Sequence, residues 1–164
     1  MVGYHELLSD LETCCDSITV EELLQLSGRS PEHLHELLGM RLTYGAIEGS
    51  DRLRSAIAAL YEHQTGQNTL VTHGAIGANQ LVYLALVEPG DHVVSVVPSY
   101  QQHTSIPESL GANVTRVPLR EEHGWQLDVD ELVGAITPGT KVVSLTNPNN
   151  PTGALLERPT LQTI

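Results

Sequence analysis

From Gly66 onward, short apolar runs alternate with stretches of helical pattern along this 164-residue chain. The predicted buried strands and the helices between them are, in order, strand 69–72, helix 77–87, strand 92–97, helix 101–110, strand 113–118, helix 128–136 and strand 141–146. Strands that alternate with helices pair in parallel, because each helix returns the chain to the same end of the sheet. The sequence therefore predicts an α/β fold with a mostly parallel sheet flanked by helices.

The first forty residues have a different pattern, that of amphipathic helices. Thr19 precedes Glu22 by three residues, which is the spacing of a capping box. Ser30-Pro31 provides an N-cap and a first-turn proline for a second helix. We therefore expect a helical N-terminal segment at residues 1–40 and an α/β domain at residues 41–164.

Composition excludes several classes of partner. Eight Lys and Arg against twenty Asp and Glu give a net charge of −12, so the surface repels nucleic acid and anionic membranes. No apolar run approaches the roughly eighteen residues that a membrane-spanning helix needs, and the N-terminal residues lack a basic-then-apolar signal pattern. We expect a cytoplasmic protein that binds neither nucleic acid nor membrane.

Cysteine and histidine usage gives no sign of a metal site. Cys14 and Cys15 are adjacent, and neighbouring cysteines rarely form a disulfide, so two reduced thiols are expected. The eight histidines are scattered, and His33 and His35 are two residues apart on a predicted helix, which turns them to different sides. We therefore assign no metal ligand.

A rigid polar turn, Asn147-Pro148-Asn149-Asn150-Pro151-Thr152-Gly153, follows the last predicted strand. Each proline fixes its own φ and moves the residue before it out of the helical region. Such turns at the carboxyl ends of strands are where α/β sheets place ligand-contacting groups. Asn147 and Asn149 are expected to hold the turn itself, because asparagine side chains readily bond nearby backbone.

Two other segments lie at predicted strand ends. At Gly74, Ala75 and Ile76 a strand joins a helix through small residues, where free amides and the helix dipole could hold a phosphate. A tight connection without a ligand is the alternative there. Tyr100 follows the strand 92–97 and offers an aromatic face for stacking, or is a surface tyrosine in a turn.

Taken together, these segments resemble class I/II aminotransferases of fold type I, which use pyridoxal 5′-phosphate (PLP). Residues 147–153 resemble the family's Asn-Pro-x-x-Pro-Thr-Gly signature. Tyr44-Gly45, Gly49 and Leu53-Arg54 resemble its Tyr-Gly-x-x-x-Gly-x-x-x-Leu-Arg pattern. The resemblance covers about residues 41–157 and implies an incomplete PLP-transferase large domain, preceded by the helical N-terminal segment.

The resemblance implies roles for six residues. Gly74, Ala75 and Ile76 would contact the cofactor phosphate, Tyr100 would stack on its pyridine ring, and Asn150 would donate a hydrogen bond to its phenolic oxygen. Tyr44 would reach the phosphate of a neighbouring subunit, which makes the complete enzyme a homodimer; a structural tyrosine in a turn is the alternative.

One of these six positions, Ile76, and one further position, His103, are less regular in the family. Where relatives often carry a Ser or Thr hydroxyl, this chain has Ile76, so the phosphate would depend more on backbone amides. In some relatives a histidine at the position of His103 supports the acid that pairs with the pyridine nitrogen, and we carry that role over as an expectation.

The catalytic groups of the family are not among these residues. Aminotransferase chemistry needs a lysine amine that bonds to the cofactor and moves a proton, and an acid near the pyridine nitrogen. In the family both come from later strands, as does the arginine that binds the substrate carboxylate. The one lysine here, Lys141, starts the strand that ends in the Asn-Pro turn, roughly 20 Å from the cofactor end at the rise of a strand. No catalytic residue is assigned, and covalent attachment of the cofactor is not expected at the family position.

Two functional hypotheses follow. Residues 158–160 resemble a helix start and the chain stops within that helix, so a truncated product or a fragment is expected. In the first hypothesis the parent enzyme transfers an amino group between an amino acid and a 2-oxo acid, and this chain is inactive alone. In the alternative, the chain is an inert aminotransferase-derived domain that serves as a binding or dimerisation module.

Overall fold

The computed structural model describes residues 17–164, apart from the side chains of residues 36 and 37. The chain divides into two units, Met1–Gly45 and Ala46–Ile164, and each is described here by itself. The expectation for Cys14 and Cys15 lies outside the described residues.

The described part of the first unit contains helices α1 (Val20–Leu26) and α2 (His33–Leu38). The Thr19 hydroxyl accepts a hydrogen bond from the Glu22 amide at 3.1 Å, and the Glu22 carboxylate accepts one from the Thr19 amide at 2.7 Å. The predicted capping box is therefore confirmed. These hydrogen bonds from Thr19 also lower the pKa of the Glu22 carboxyl.

The second unit alternates helices and strands. Its elements are α3 (Asp51–Ala58), α4 (Gly74–Leu86), β1 (His92–Val97), α5 (Gln102–Ser109), β2 (Asn113–Pro118), α6 (Val129–Ala135), β3 (Thr140–Ser144) and α7 (Arg158–Thr163), with short 3₁₀ turns at Gly66–Asn68 and Glu121–His123.

The three strands form one parallel sheet in the order β2-β1-β3, which confirms the predicted α/β class. Val94 in the central strand lies opposite Thr115 of β2 and Val143 of β3. Residues 93–96 of that strand are buried, because helices cover both faces of the sheet.

The two faces of the sheet carry separate apolar clusters, since successive side chains of a strand point to opposite faces. On one face Val93 packs with Tyr83 of α4, with Val87 directly after that helix, and with Ile106 of α5. On the other face the cluster comprises Val94, Val96, Val117, Leu119, Leu127, Leu132 and Leu156.

The predicted strand at residues 69–72 is wrong. This segment lies outside the sheet, and the Val71 amide donates to the Glu48 carbonyl at 3.0 Å. An apolar extended pattern does not distinguish a paired strand from an unpaired segment, because pairing depends on a neighbouring strand. The helix that follows begins at Gly74, three residues earlier than predicted.

Within residues 17–164, no helix combines the length and the apolar character needed to cross a bilayer.

Candidate functional site

The turns after β1 and β3 lie side by side, because the two strands are parallel neighbours. The hydroxyls of Ser99 and Thr146 are hydrogen-bonded at 2.9 Å. The Asn149 side-chain amide donates to the Pro98 carbonyl at 3.1 Å. These two contacts fix the backbone segments 98–100 and 146–150 to each other.

Asn147 and Asn149 hold the turn, as the sequence predicted. The Asn147 side chain accepts a hydrogen bond from the Leu156 amide at 2.9 Å and donates one to the Leu156 carbonyl at 3.1 Å. Asn149 is only 5% exposed, and its side chain also donates to the Thr152 hydroxyl at 2.9 Å. The peptide bonds before Pro148 and Pro151 are cis.

Tyr100 and Asn150, two of the six predicted cofactor contacts, are brought together at this edge. The Asn150 side-chain amide donates to the Tyr100 hydroxyl at 2.8 Å. The Tyr100 residue is 46% exposed, so part of its side chain is accessible to a ligand. An aromatic face and an amide therefore meet at the carboxyl ends of two neighbouring strands.

The His103 ring contacts Tyr100 and also Tyr83, a residue that the sequence analysis did not select. The Tyr100 and His103 rings meet edge to face, with their centroids 6.5 Å apart. The Tyr83 and His103 rings have the same separation and a similar edge-to-face arrangement. The Tyr83 hydroxyl donates to the His103 carbonyl at 3.3 Å and lies 3.4 Å from its Nδ1. Tyr83 sits within the apolar run of α4, so its pattern in the sequence gave no sign of this contact.

Burial controls the ionisation of this pair. It lowers the pKa of the His103 imidazole and raises the pKa of the Tyr83 phenol, since both charged forms lose hydration. Both groups are therefore held neutral near pH 7. They line a cavity of about 240 Å³ together with Asn79, Val82 and residues 142–145.

Gly74, Ala75 and Ile76 form the first turn of α4. Gly74 has φ +72°, and a Cβ added there would meet nothing closer than Ile76 Cγ2, at 4.0 Å. A helix of thirteen residues begins here, and its first amides have no partner within the helix. An anion could contact these amides in the open space beside Gly74. The three residues stay predicted phosphate contacts.

Tyr44 lies in the unit Met1–Gly45, and its side chain is fully exposed. Its contact with a neighbouring subunit's cofactor stays a prediction.

Arg54, which belongs to the same sequence pattern, has a structural role in the second unit. Its side chain is 12% exposed, and it donates to the Gly66 carbonyl at 2.6 Å and to the Glu48 carboxylate at 2.7 Å. The sequence analysis gave Arg54 no role, because both partners are distant along the chain.

Lys141 lies at the opposite end of β3 from the Asn-Pro turn. His92 pairs with Thr140 and Val93 with Val142, so Lys141 occupies an irregularity at the start of the strand. Its side chain is exposed. This placement agrees with the prediction that Lys141 does not reach the cofactor end of the sheet.

Among residues 17–164, no three or more His, Cys, Asp and Glu side chains are grouped so that they could hold a metal ion.

A family model matches this site and its surroundings. The model for aminotransferase class I and II covers residues 14–164.

Individual proteins show the same similarity. The chain is 31% identical over 159 residues to arginine–pyruvate transaminase AruH of Pseudomonas aeruginosa, across 88% of this chain and 40% of the relative. It is 38% identical over 123 residues to a probable N-succinyldiaminopimelate aminotransferase, DapC, of Mycobacterium tuberculosis, across 71% of this chain and 31% of the relative. A PLP-dependent aminotransferase from Streptococcus suis has a similar crystal structure, with TM-score 0.85 and 46% identity over 90% of this chain and 40% of the other. The chain thus spans less than half the length of the proteins it matches.

Proposed function

The chain belongs to the class I and II aminotransferases, and from this premise we propose that it contributes cofactor contacts to an enzyme that transfers an amino group between an amino acid and a 2-oxo acid. Membership of this family implies PLP as the cofactor. The observation that supports the proposal most directly is the contact between Tyr100 and Asn150 at the carboxyl ends of two adjacent strands.

The residues at this edge of the sheet fit the cofactor without a covalent bond. The partly exposed Tyr100 ring can stack on a planar heteroaromatic ring, which favours an offset arrangement. The Asn150 amide can donate to a phenolate oxygen, and the open first turn of α4 can receive a phosphate. In this assignment Gly74, Ala75 and Ile76 contact the phosphate through backbone amides.

When bound, PLP supplies an electron-withdrawing ring that stabilises negative charge at the substrate Cα. This chain's residues bind and orient that ring. Tyr100 covers one face, and the Asn150 amide stabilises negative charge on the phenolic oxygen. His103 is held neutral by burial, so it can exchange a hydrogen bond with an acid near the pyridine nitrogen without adding a charge.

We further propose that the chain alone does not turn over substrate. Its one lysine, Lys141, is at the amino end of β3, while Tyr100 and Asn150 follow the carboxyl ends of β1 and β3. No lysine of this chain is therefore placed to move a proton at a ring stacked on Tyr100. The alternative of an inert binding or dimerisation module is not favoured by the similarity to aminotransferases.

The test is to add PLP to the purified chain and to follow its absorbance. We expect a spectrum of bound cofactor, no transaminase turnover, and no specific borohydride trapping at Lys141. Substitution of Asn150 by Ala should weaken binding, because the phenolic oxygen loses its donor. Transaminase turnover together with trapping at Lys141 would contradict the proposal, as would binding that is unchanged in the Asn150→Ala variant.

The proposed assembly is a homodimer in which residues 41–164 form part of the large domain and Tyr44 reaches the partner's cofactor. Helix α4 supports this, since it is apolar almost all round, which is typical of a helix covered on every side. In the described chain, large apolar residues of this helix are nevertheless exposed, namely Ile76, Leu81, Val82, Leu84 and Leu86. A second copy of the chain is the occupant we assign to these exposed residues, which lie on several sides of the helix.

A further inference from the structure

The hydrogen bond from the Asn150 amide to the Tyr100 hydroxyl, 2.8 Å long, is not explained by the roles assigned to the two residues. A stacking role needs only the aromatic ring of Tyr100, which phenylalanine would also supply. A donor role needs only the amide of Asn150. The hydrogen bond joins the residue that would stack on the cofactor to the residue that would donate to its phenolic oxygen.

The backbones at both ends of this bond are fixed relative to each other. The Ser99 and Thr146 hydroxyls are bonded at 2.9 Å, and the Asn149 amide donates to the Pro98 carbonyl at 3.1 Å. The distance between Tyr100 and Asn150 is therefore set by the sheet and its turns.

The Tyr100 residue is only partly covered by the rest of the chain. It is nearly half exposed, and its ring contact among the described residues is the edge of His103 at 6.5 Å between centroids. The second side-chain torsion of a tyrosine has broad wells, and an exposed ring moves among them within nanoseconds. Holding such a ring still when a ligand binds costs conformational entropy.

We propose that Asn150 is a positioning residue for Tyr100: its hydrogen bond to the hydroxyl holds the ring in one orientation before the cofactor arrives. This inference rests on the proposed function, since it concerns the ring that would stack on the cofactor. It makes the hydroxyl, and not only the aromatic face, a determinant of affinity. A tyrosine held in place loses less freedom on binding than a free phenylalanine would.

The test uses the full chain and pyridoxine 5′-phosphate, which has the ring, phenolic oxygen and phosphate of PLP but no aldehyde. It therefore cannot bond covalently to Lys141 or to the N-terminus. Its affinity is measured for the wild type, Tyr100→Phe, Asn150→Ala and the double variant. Tyr61→Phe, at an exposed tyrosine, is the matched control.

We expect Tyr100→Phe to weaken binding about two- to tenfold, the affinity equivalent of one net hydrogen bond. In the Asn150→Ala background the same substitution should have no further effect, because the hydroxyl has already lost its partner. Tyr61→Phe should bind like the wild type. An equal loss in both backgrounds would mean that the hydroxyl contacts the ligand directly, and it would overturn the inference. Tighter binding by Tyr100→Phe would overturn it as well, since the bond would then compete with the ligand.

A second measurement does not depend on the ligand. In ¹⁵N-edited NMR spectra of the cofactor-free chain, Tyr100→Phe should shift the side-chain amide signals of Asn150, and Tyr61→Phe should not. Unchanged Asn150 signals would reject the hydrogen bond and with it the inference. If those signals shift but the wild type does not bind pyridoxine 5′-phosphate, the proposed function fails, and so does the role of the bond in binding.

Discussion

Three asparagines within four residues of the Asn-Pro turn have different surroundings and therefore different roles. The Asn147 side chain makes two hydrogen bonds to the backbone of Leu156. The Asn149 side chain donates to the Pro98 carbonyl and to the Thr152 hydroxyl. The Asn150 side chain donates to the Tyr100 hydroxyl. Identical side chains thus differ in what they hold: two of them fix the turn, and the third contacts a tyrosine from the neighbouring strand end.

The two part-buried hydrogen bonds of Asn149 predict an effect on stability. Asn149→Ala removes both bonds, and at about 0.5–1.5 kcal/mol for each it should lower the free energy of unfolding by about 1–3 kcal/mol. Asn150→Ala, in the same turn, removes a more exposed bond and should lower it by less than about 1 kcal/mol. Urea unfolding of the two variants compares them directly. Equal decreases in the free energy of unfolding of the two variants would show that the Asn149 hydrogen bonds stabilise the chain no more than the Asn150 bond does.

His103 predicts a dependence of stability on pH. Burial lowers the pKa of its imidazole below the ordinary 6.5, so the folded chain resists a proton that the unfolded chain accepts. Above about pH 7.5, one unit above the ordinary pKa of the imidazole, both states are neutral at this residue and its contribution is constant. As the pH falls below that value the unfolded state binds the proton first, and stability should decrease.

Thermal unfolding between pH 7.5 and 5.5 measures this dependence in the wild type, in His103→Gln and in His63→Gln. In the His103→Gln variant, stability should decrease less than in the wild type as the pH falls. The His63→Gln control should keep it, because His63 is almost fully exposed. A decrease that is the same in all three proteins would contradict the assignment to His103.

Among the elements, the junction between the Glu48–Gly49 turn and the segment before α4 is tightly packed. Gly49 has φ +95°, and a Cβ there would lie 2.6 Å from Val71 Cγ2. Val71 is held in place by its amide bond to the Glu48 carbonyl at 3.0 Å. The glycine is therefore required both by its backbone conformation and by the space around it.

Gly49→Ala should consequently destabilise the chain more than Gly90→Ala. Gly90 has a similar φ, +90°, but nothing lies within 4 Å of an added Cβ. The left-handed conformation alone costs about 1–2 kcal/mol at either position. Steric overlap with Val71 should add about 1–3 kcal/mol at Gly49 only. Unfolding free energies of the two variants test this difference, and equal values would show that Val71 moves aside without cost.

At the scale of the whole molecule, the exposed apolar residues of α4 predict self-association. Leu84→Glu places a charge among these residues and should shift the chain towards monomer, because burying a charged side chain opposes association. Val133→Glu, on α6 at a similarly exposed position, is the matched control. Sedimentation velocity over a range of concentrations measures the change. A wild type that is monomeric at all concentrations would contradict the assignment of a second copy of the chain to the exposed residues of α4.

The local features of the fold were predictable from the sequence. The bounds of β1 and β2 and the capping box at Thr19 agree with the predictions, since each depends on residues close together in the chain. Asn147 and Asn149 were assigned to the turn for the same reason. Prolines, caps and apolar runs act over a few residues, so they can be recognised without knowledge of the rest of the molecule.

The tertiary structure alone decided which of these features meet. Residues 69–72 have the pattern of a strand but no partner strand in the sheet, and Tyr83 contacts His103 twenty residues away. Tyr100 and Asn150, fifty residues apart, are bonded because β1 and β3 are parallel neighbours whose carboxyl ends share an edge. The sequence by itself determined the α/β class and the aminotransferase family, and it predicted the residues that would contact a cofactor. Their arrangement followed from strand pairing, which depends on contacts between segments that are distant along the chain.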